Sequence, residues 1–159
     1  MTFDIDKRDL EILKILMNNS RLSIRKIARM LKLSPGTVQV RIKRLEDLGI
    51  IRKYTIDIDL EKLGYQFPVL IDIKVSGGKL KEVEERLKDE ENVSAVYDIT
   101  GEYDITIIAR FRNRHDLDNF VKKLQTLENV ERTHTKLILN VVCENSREGY
   151  LNELYKEVA

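Results

Sequence analysis

The chain has 159 residues, 42% hydrophobic and 35% charged, which is enough for one domain or two small ones with packed cores. Its one cysteine, Cys143, excludes an internal disulfide framework, and no apolar run approaches the roughly 18 residues of a membrane span. Because the N-terminus also lacks the basic-then-apolar pattern of a signal peptide, the composition predicts a soluble protein of the reducing cytoplasm.

Charge is divided unevenly along the chain, although the net charge is only +1. Residues 1–64 carry 14 Lys and Arg against 9 Asp and Glu, whereas residues 65–159 carry 14 against 18. Residues 20–53 contain ten basic residues and two acidic ones. A basic first third and an acidic remainder suggest that one part of the chain meets phosphate and the other has a different task.

The first third of the sequence predicts three helices. Asp6 can cap the first helix, Ser23 the second and Ser34 the third, and Gly49 stands where the third would end in a left-handed conformation. Two helices joined by a tight connection predict a helix-turn-helix. Alternation over residues 50–58 predicts a short β-hairpin after it, which makes the motif the winged kind.

The third predicted helix is the candidate DNA reader, because its apolar residues recur on one side and long donors lie on the other. Its free N–H groups and dipole favour a phosphate at the start, and the Gln39 amide can pair bidentately with adenine. Val40 can contact a thymine methyl group. The basic side chains can reach guanine or phosphate, and most such contacts go to the backbone. The predicted DNA-binding residues are Ser34, Gly36, Thr37, Gln39, Val40, Arg41, Lys43 and Arg44, with Arg21, Arg25 and Arg52 as secondary phosphate contacts; an ordinary solvated basic surface is the alternative.

From residue 65 the apolar period changes from about 3.6 to about 2, which indicates strands. Strands are predicted at 67–75, 93–99, 105–111 and 133–141, with helices at 80–87 and 117–127 and a last short helix in the tail. The order βαββαβ predicts an α+β, ferredoxin-like fold with one antiparallel sheet and both helices on one face. The predicted domains are 1–59 and 65–159, the second including the helical tail, with a linker at 60–64.

Each predicted strand also has an apolar residue in the register that the helices leave open. One on every strand would form a patch, and a patch of this kind suggests a partner. We therefore expect a homodimer that packs sheet to sheet. The predicted interface residues are Leu70, Val96, Ile108 and Ile138.

Three motifs, in this order, resemble the Lrp/AsnC (feast/famine) family of transcriptional regulators. They are Asp6-x-x-Asp9 followed by an Ile-Leu pair, the run S-P-x-T-V-x-x-R-I-x-R-L-E from Ser34 to Glu46, and G-x-Y-D at residues 101–104 between two strands. The resemblance covers residues 5–142. It implies a sequence-specific DNA-binding regulator of genes such as those of amino-acid metabolism, dimers that assemble further, commonly into octamers, and an amino-acid effector bound between dimers near residues 101–104.

The G-x-Y-D turn has two interpretations, a tight β-turn alone or part of a ligand site. In the second, Gly101 leaves space for the ligand and Asp104 accepts a hydrogen bond from its α-ammonium group. Thr133 and Thr135 of the last strand can add hydroxyl groups, and Tyr103 completes the predicted effector set.

No motif in the sequence predicts an enzyme. The two histidines, His115 and His134, and the cysteine lack metal-ligand spacing, and there is no phosphate-binding glycine loop. We therefore expect no metal and no cofactor beyond the effector. An architectural multimer with little sequence preference remains an alternative, and an amino-acid sensor that acts without DNA leaves the net charge of +8 over residues 20–53 unexplained.

Overall fold

The computed structural model describes residues 5–144 and 148–157. The chain forms two compact units, Met1–Asp57 together with Cys143–Ala159, and Ile58–Val142. Residues 60–64, the predicted linker, form a turn at the start of the second unit. The tail therefore groups with the N-terminal unit and not, as predicted, with the second domain.

The first unit is a helix-turn-helix, as predicted, with one more helix from the tail. The caps of its first three helices are the predicted ones, because the side chains of Asp6, Ser23 and Ser34 each accept backbone N–H groups of the first turn. Gly49 follows the third helix with φ of 70°. The helices are α1 (Lys7–Asn18), α2 (Ile24–Leu31), α3 (Pro35–Asp47) and α6 (Glu148–Glu157). Their core consists of Leu10, Ile12, Leu13, Ile27, Ala28, Val38 and Leu45.

The hairpin predicted at residues 50–58 is not formed. These residues are described, and none of them is assigned to a strand. The alternation that suggested strands is present, but a hairpin needs a turn between two paired strands, and the segment has no Gly, Pro or Asn between Arg52 and Ile58.

The second unit has the predicted βαββαβ order. Its strands and helices are β1 (Phe67–Val75), α4 (Leu80–Leu87), β2 (Val93–Asp98), β3 (Ile105–Phe111), α5 (Arg114–Gln125) and β4 (Val130–Leu137). The strands form an antiparallel sheet in the order β2-β3-β1-β4. Both helices cover one face, and the core between them consists of Val69, Ile71, Ile73, Val83, Leu87, Ile105, Ile107, Ala109, Phe111, Phe120 and Leu124.

Val96 does not lie on the open face of the sheet, which corrects its predicted place in the interface. The register of β2 against β3 shifts between Val93 and Ala95. The shift places Val96 opposite the buried Ile107, so that its side chain packs against the core below the helices. An irregularity of this kind reverses the face of every later residue in the strand.

The end of β4 also differs from the prediction. The strand ends at Leu137, although apolar alternation continues to residue 141. Ile138, just beyond the strand, still donates its N–H to Pro68 O at 2.9 Å. Among the described residues, no helix is both long and apolar enough to cross a lipid bilayer.

The connection between α2 and α3 yields a test of backbone strain. Lys32, the C-cap of α2, has φ of 54° and ψ of 44°, a left-handed conformation that glycine adopts without penalty. We expect Lys32→Gly to raise the free energy of unfolding by about 0.5 kcal/mol in thermal denaturation. Lys26→Gly, inside α2, should lower it by about 0.5–1 kcal/mol. If both variants changed the free energy of unfolding in the same direction, backbone strain at Lys32 would be contradicted.

Candidate DNA interface and effector site

One side of α3 is exposed along its whole length. Gly36, Gln39, Val40 and Lys43 follow one another at helical spacing, and all four are exposed, Val40 to 69%. Val38 and Leu45, on the opposite side, are buried in the core. We call these four exposed residues the α3 stripe. It presents an amide, an ammonium and a methyl-bearing side chain to solvent, the groups that read base edges and phosphates.

The start of α3 is held by its own cap. Ser34 Oγ accepts the N–H of Thr37 at 3.0 Å, and the two hydroxyl oxygens lie 2.8 Å apart. Both residues are exposed. A Cβ added at Gly36 would lie 3.9 Å from Ser34 Oγ, an ordinary contact, so the fold itself does not require glycine there.

Arg41 lies on the side of α3 that faces α1. Its Nη1 donates to Asp6 Oδ2 at 2.7 Å and to Asp9 Oδ1 at 2.9 Å. These hydrogen bonds, which Arg41 donates to Asp6 and Asp9, raise the pKa of Arg41. Burial by itself would raise the pKa of Asp6, but the hydrogen bonds from Arg41 and from backbone N–H groups hold it below its ordinary value. The structure thus places Arg41 against α1 and not on the exposed stripe.

Asp9 is the centre of this group of charges. It is fully buried, and it also accepts the N–H of Asp6 at 3.2 Å to complete a capping box at the start of α1. Arg44 Nη1 reaches its Oδ2 at 3.2 Å, while 41% of the Arg44 side chain remains exposed. Arg44 therefore pairs with Asp9 while part of its side chain remains exposed to solvent.

The remaining basic candidates are exposed. Lys43 pairs with Asp47 at 2.6 Å one turn further along α3, a contact that raises the pKa of Lys43. Arg21, Arg25 and Arg52 lie on the surface of the same unit. Such exposed side chains can exchange a carboxylate partner for a phosphate at little cost.

Tyr54 fastens the segment that follows α3. Its hydroxyl donates to Glu46 Oε1 at 2.8 Å. Burial and this hydrogen bond to a carboxylate raise the pKa of Tyr54 to about 12. This contact with α3 was not predicted, because nothing in the local sequence pattern links residue 54 to that helix.

In the second unit, the G-x-Y-D turn is tied to β1. Gly101 has φ of 124° and is exposed, a conformation that favours glycine. Asp104 Oδ2 accepts the N–H of Val75 at 2.8 Å, and its Oδ1 pairs with Lys74 Nζ at 3.1 Å. These two hydrogen bonds, the backbone one first, lower the pKa of Asp104. The carboxylate predicted to meet an α-ammonium group thus already meets one ammonium group, that of Lys74.

Tyr103 connects the turn to β4. Its ring stacks on His134 with centroids 6.1 Å apart, and Arg132 Cζ lies 5.0 Å from its centroid. Arg132 also pairs with Glu102 at 2.6 Å. Arg132 and His134 were not among the predicted site residues, although their alternation with the two threonines could have indicated them.

Thr133 and Thr135 point away from this cluster. Their partners in β1 are Ile73 and Ile71, whose side chains lie in the core under the helices, so the threonines share that face. Thr133 Oγ1 accepts from Gln125 Nε2 at 3.4 Å. Thr135 Oγ1 is buried and makes no hydrogen bond within the part of the chain that the structure describes. The structure therefore brings Tyr103 to β4, but not to the threonine hydroxyls.

The open face of the sheet combines apolar and charged side chains. Leu70 and Ile108 are opposite each other and half-buried. Next to them Asp72, only 6% exposed, accepts from Thr106 Oγ1 at 2.6 Å and pairs with Lys136. Burial alone would raise the pKa of Asp72, but hydrogen bonds from Lys136 and Thr106 and nearby positive charge hold it below its ordinary value.

Comparison with known proteins identifies the family. A model described as winged helix-turn-helix DNA-binding matches residues 5–52, and one described as Lrp/AsnC ligand binding domain matches residues 68–148. The chain belongs to the Lrp/AsnC family. The two matches coincide with the units that carry the α3 stripe and the four-stranded sheet.

Relatives of this Lrp/AsnC protein align over nearly their whole length. An uncharacterised HTH-type transcriptional regulator of Pyrococcus furiosus is 44% identical over 144 residues, covering 91% of this chain and 97% of that protein. The HTH-type transcriptional regulator FL11 of the same organism is 38% identical over 138 residues, covering 87% and 89%. This Lrp/AsnC protein is therefore a DNA-binding transcriptional regulator and not an enzyme.

Solved structures agree with this fold. E. coli AsnC superposes with a TM-score of 0.86 at 28% identity, covering 91% of this chain and 98% of that one. A feast or famine regulatory protein of M. tuberculosis, solved in complex with L-methionine, has a TM-score of 0.82 at 25% identity, covering 89% and 97%.

The contacts of Arg41 predict a role in stability. We expect Arg41→Ala to lower the free energy of unfolding by roughly 2–4 kcal/mol, because it removes a cation from a fully buried carboxylate. The dependence of DNA affinity on salt should stay unchanged. Arg25→Ala is the control, with a stability change within about 0.5 kcal/mol. Unchanged stability with a salt slope shallower by about one would instead show that Arg41 binds phosphate.

The low pKa of Asp72 predicts a pH dependence. Because its folded pKa lies below the unfolded value, its stabilisation is complete above the ordinary carboxyl pKa and is lost as pH falls through the folded pKa. We expect Lys136→Met to raise the pKa of Asp72 in NMR titration and to destabilise the protein at neutral pH, with a smaller difference in acid. Lys122→Met, which breaks the exposed pair with Asp118, should leave Asp72 unchanged. An unshifted Asp72 in Lys136→Met would contradict the assigned partner.

Proposed function

We propose that this Lrp/AsnC regulator binds specific DNA sequences through the α3 stripe, acts as a homodimer, and responds to an amino-acid effector. The observation that carries the proposal is the division of α3 into two sides. Arg41 holds one side against α1, and the other presents Gln39, Val40 and Lys43 to solvent. A helix held in this way can enter a major groove without rearranging its unit.

In this proposal Gln39 reads a base and Lys43 contacts phosphate. The cap formed by Ser34 and Thr37 brings the positive end of α3 to the backbone, where an anion is favoured. Arg41 holds the helix in position and is no longer proposed as a DNA contact. The proposed DNA contacts are Ser34, Gly36, Thr37, Gln39, Val40, Lys43 and Arg44, with Arg21, Arg25 and Arg52 on the flanking backbone.

The proposed effector site is centred on the turn of residues 101–104. The complex of the M. tuberculosis relative with L-methionine supports an amino acid as the ligand class. Gly101 leaves open space, with no atom within 4 Å of a Cβ built there. An α-ammonium group would join or replace Lys74 at Asp104, and Tyr103 offers an aromatic wall. Thr133 and Thr135 face the helices. They would contact the effector only if a second copy of the chain supplied them or if β4 changed its register.

The proposed dimer uses the open face of the sheet. Leu70, Ile108 and Ile138 are its apolar residues, and all three are half-buried in the single chain. Assembly of dimers into octamers is part of the proposal on family grounds. Because a two-fold dimer presents two α3 stripes, the preferred site is a pseudo-palindrome with half-sites about one helical turn, or a multiple, apart.

Selection of genomic fragments by the purified protein tests this function, with and without the twenty amino acids. We expect enrichment of a pseudo-palindromic site that one amino acid, L-methionine being the first to try, strengthens or weakens. Gln39→Ala should lose roughly 1–3 kcal/mol on that site and relax its sequence. Lys43→Ala should weaken all DNA about equally and reduce the salt slope.

The outcomes separate the alternatives. Uniform recovery of all fragments would indicate the architectural role and contradict base reading by Gln39. A selected site that no amino acid affects would contradict the effector part of the proposal alone. Equal loss on every sequence in both variants would show that Gln39 contacts only the DNA backbone.

A further inference from the structure

The C-terminal helix α6 lies beyond both family matches, yet it packs on the DNA-binding unit. The ligand-binding-domain match ends at residue 148, where α6 begins, and the helix-turn-helix match ends at residue 52. Residues 143–159 nevertheless group with residues 1–57. Because neither matched domain includes α6, its contact with α1 is an addition to the two domains.

Two side chains on one face of α6 make this contact. Leu151 and Tyr155 are four residues apart and pack, half-buried, against the core of the DNA-binding unit. Tyr150 and Leu154, on another side of the helix, are 72% and 43% exposed. A helix of 10 residues is marginal in water by itself, so the surface of α1 stabilises α6.

Tyr155 contacts a row of charged side chains on α1. Its ring centroid lies 5.0 Å from Lys7 Nζ and 4.2 Å from Lys14 Nζ, within the range of a cation–π interaction. Its hydroxyl donates to Glu11 Oε1 at 3.2 Å. Lys7, Glu11 and Lys14 lie on one face of α1. Together they form a binding surface for an aromatic ring that carries a hydroxyl donor, as Tyr155 does.

Two segments of the chain join the sheet to the DNA-binding unit, and both start at the same end of the sheet. Antiparallel β1 and β4 are neighbours, so the start of β1 and the end of β4 lie together, joined by the hydrogen bond from Ile138 N–H to Pro68 O at 2.9 Å. Residues 58–66 lead into β1, and residues 138–147 lead from β4 to α6. Two connections to the DNA-binding unit therefore leave the sheet side by side.

These connections are fastened to different helices of the DNA-binding unit. Just before the first connection, Tyr54 donates a hydrogen bond to Glu46 of α3. The second connection leads into α6, whose Tyr155 donates a hydrogen bond to Glu11 of α1. Relative motion is the default for two domains joined by a single linker. Attachment at two separate points removes much of this rotational freedom.

We propose that α6 is a second tether, which restricts the orientation of the DNA-binding unit by docking Leu151 and Tyr155 on α1. It links that unit directly to the end of β4. Its consequence for DNA rests on the proposed function: two restricted α3 helices in a dimer favour one half-site spacing, whereas unrestricted ones tolerate several.

The test uses the full chain with the double substitution Leu151→Ala and Tyr155→Ala. Tyr150→Ala is the matched control, since it removes an exposed aromatic from the same helix. Docking is measured by amide hydrogen exchange, which should become about tenfold faster in α1 and stay unchanged in α4. Restriction of the DNA-binding unit is measured by NMR relaxation of its backbone amides. In the double variant only, the amides of α1–α3 should report faster tumbling than those of the sheet.

DNA binding supplies the third readout. The double variant should bind a single half-site as the wild type does, but its preference for the best spacing over one shifted by about half a turn should fall at least threefold. Unchanged exchange in α1 would show that α6 does not dock, and common tumbling in the double variant would show that docking does not restrict motion; either result overturns the tether. A wild-type protein that prefers no DNA sequence would contradict the proposed function. Amide hydrogen exchange and NMR relaxation would then still show whether α6 acts as a tether.

Discussion

The arrangement of the DNA-binding unit depends on the buried carboxylate of Asp9. It completes the cap of α1 and pairs with Arg41 and Arg44 of α3. A buried charge is costly unless it is paired and hydrogen-bonded, so α3 cannot move away from α1 without leaving this carboxylate unsatisfied. The same helix therefore has one side for folding and one side for DNA, and the second is presented in a fixed position because the first is held.

The sheet of the second unit divides its labour in a similar way. Its helix face carries the buried apolar core, whereas its open face places Asp72 and its partners beside the apolar pair Leu70 and Ile108. Charged groups at an interface contribute specificity more than affinity. In the proposed dimer, the apolar pair would stabilise the contact and the charges around Asp72 would select a second copy of the same face.

The tail is a second segment of the chain that connects the sheet to the DNA-binding unit. Because β1 and β4 are neighbours, both connections to the DNA-binding unit begin at the same end of the sheet. Tyr54, which precedes one connection, donates to Glu46 of α3, and Tyr155, which follows the other, donates to Glu11 of α1.

Local patterns in the sequence were sufficient for the helices, their caps at Asp6, Ser23 and Ser34, and the order of the strands, because capping and hydrophobic periodicity act between near neighbours. They also indicated the exposed stripe of α3. The register shift that buries Val96 and the pairing of Arg41 with Asp9 depend on residues far apart in the chain. The same is true of Tyr155 on α1. Except at residues 50–58 and at the end of β4, the sequence by itself determined which segments are helices and strands and which residue types face solvent. Only the tertiary structure decided which cations are bound within the protein and which are left for DNA, because that depends on contacts made across the fold.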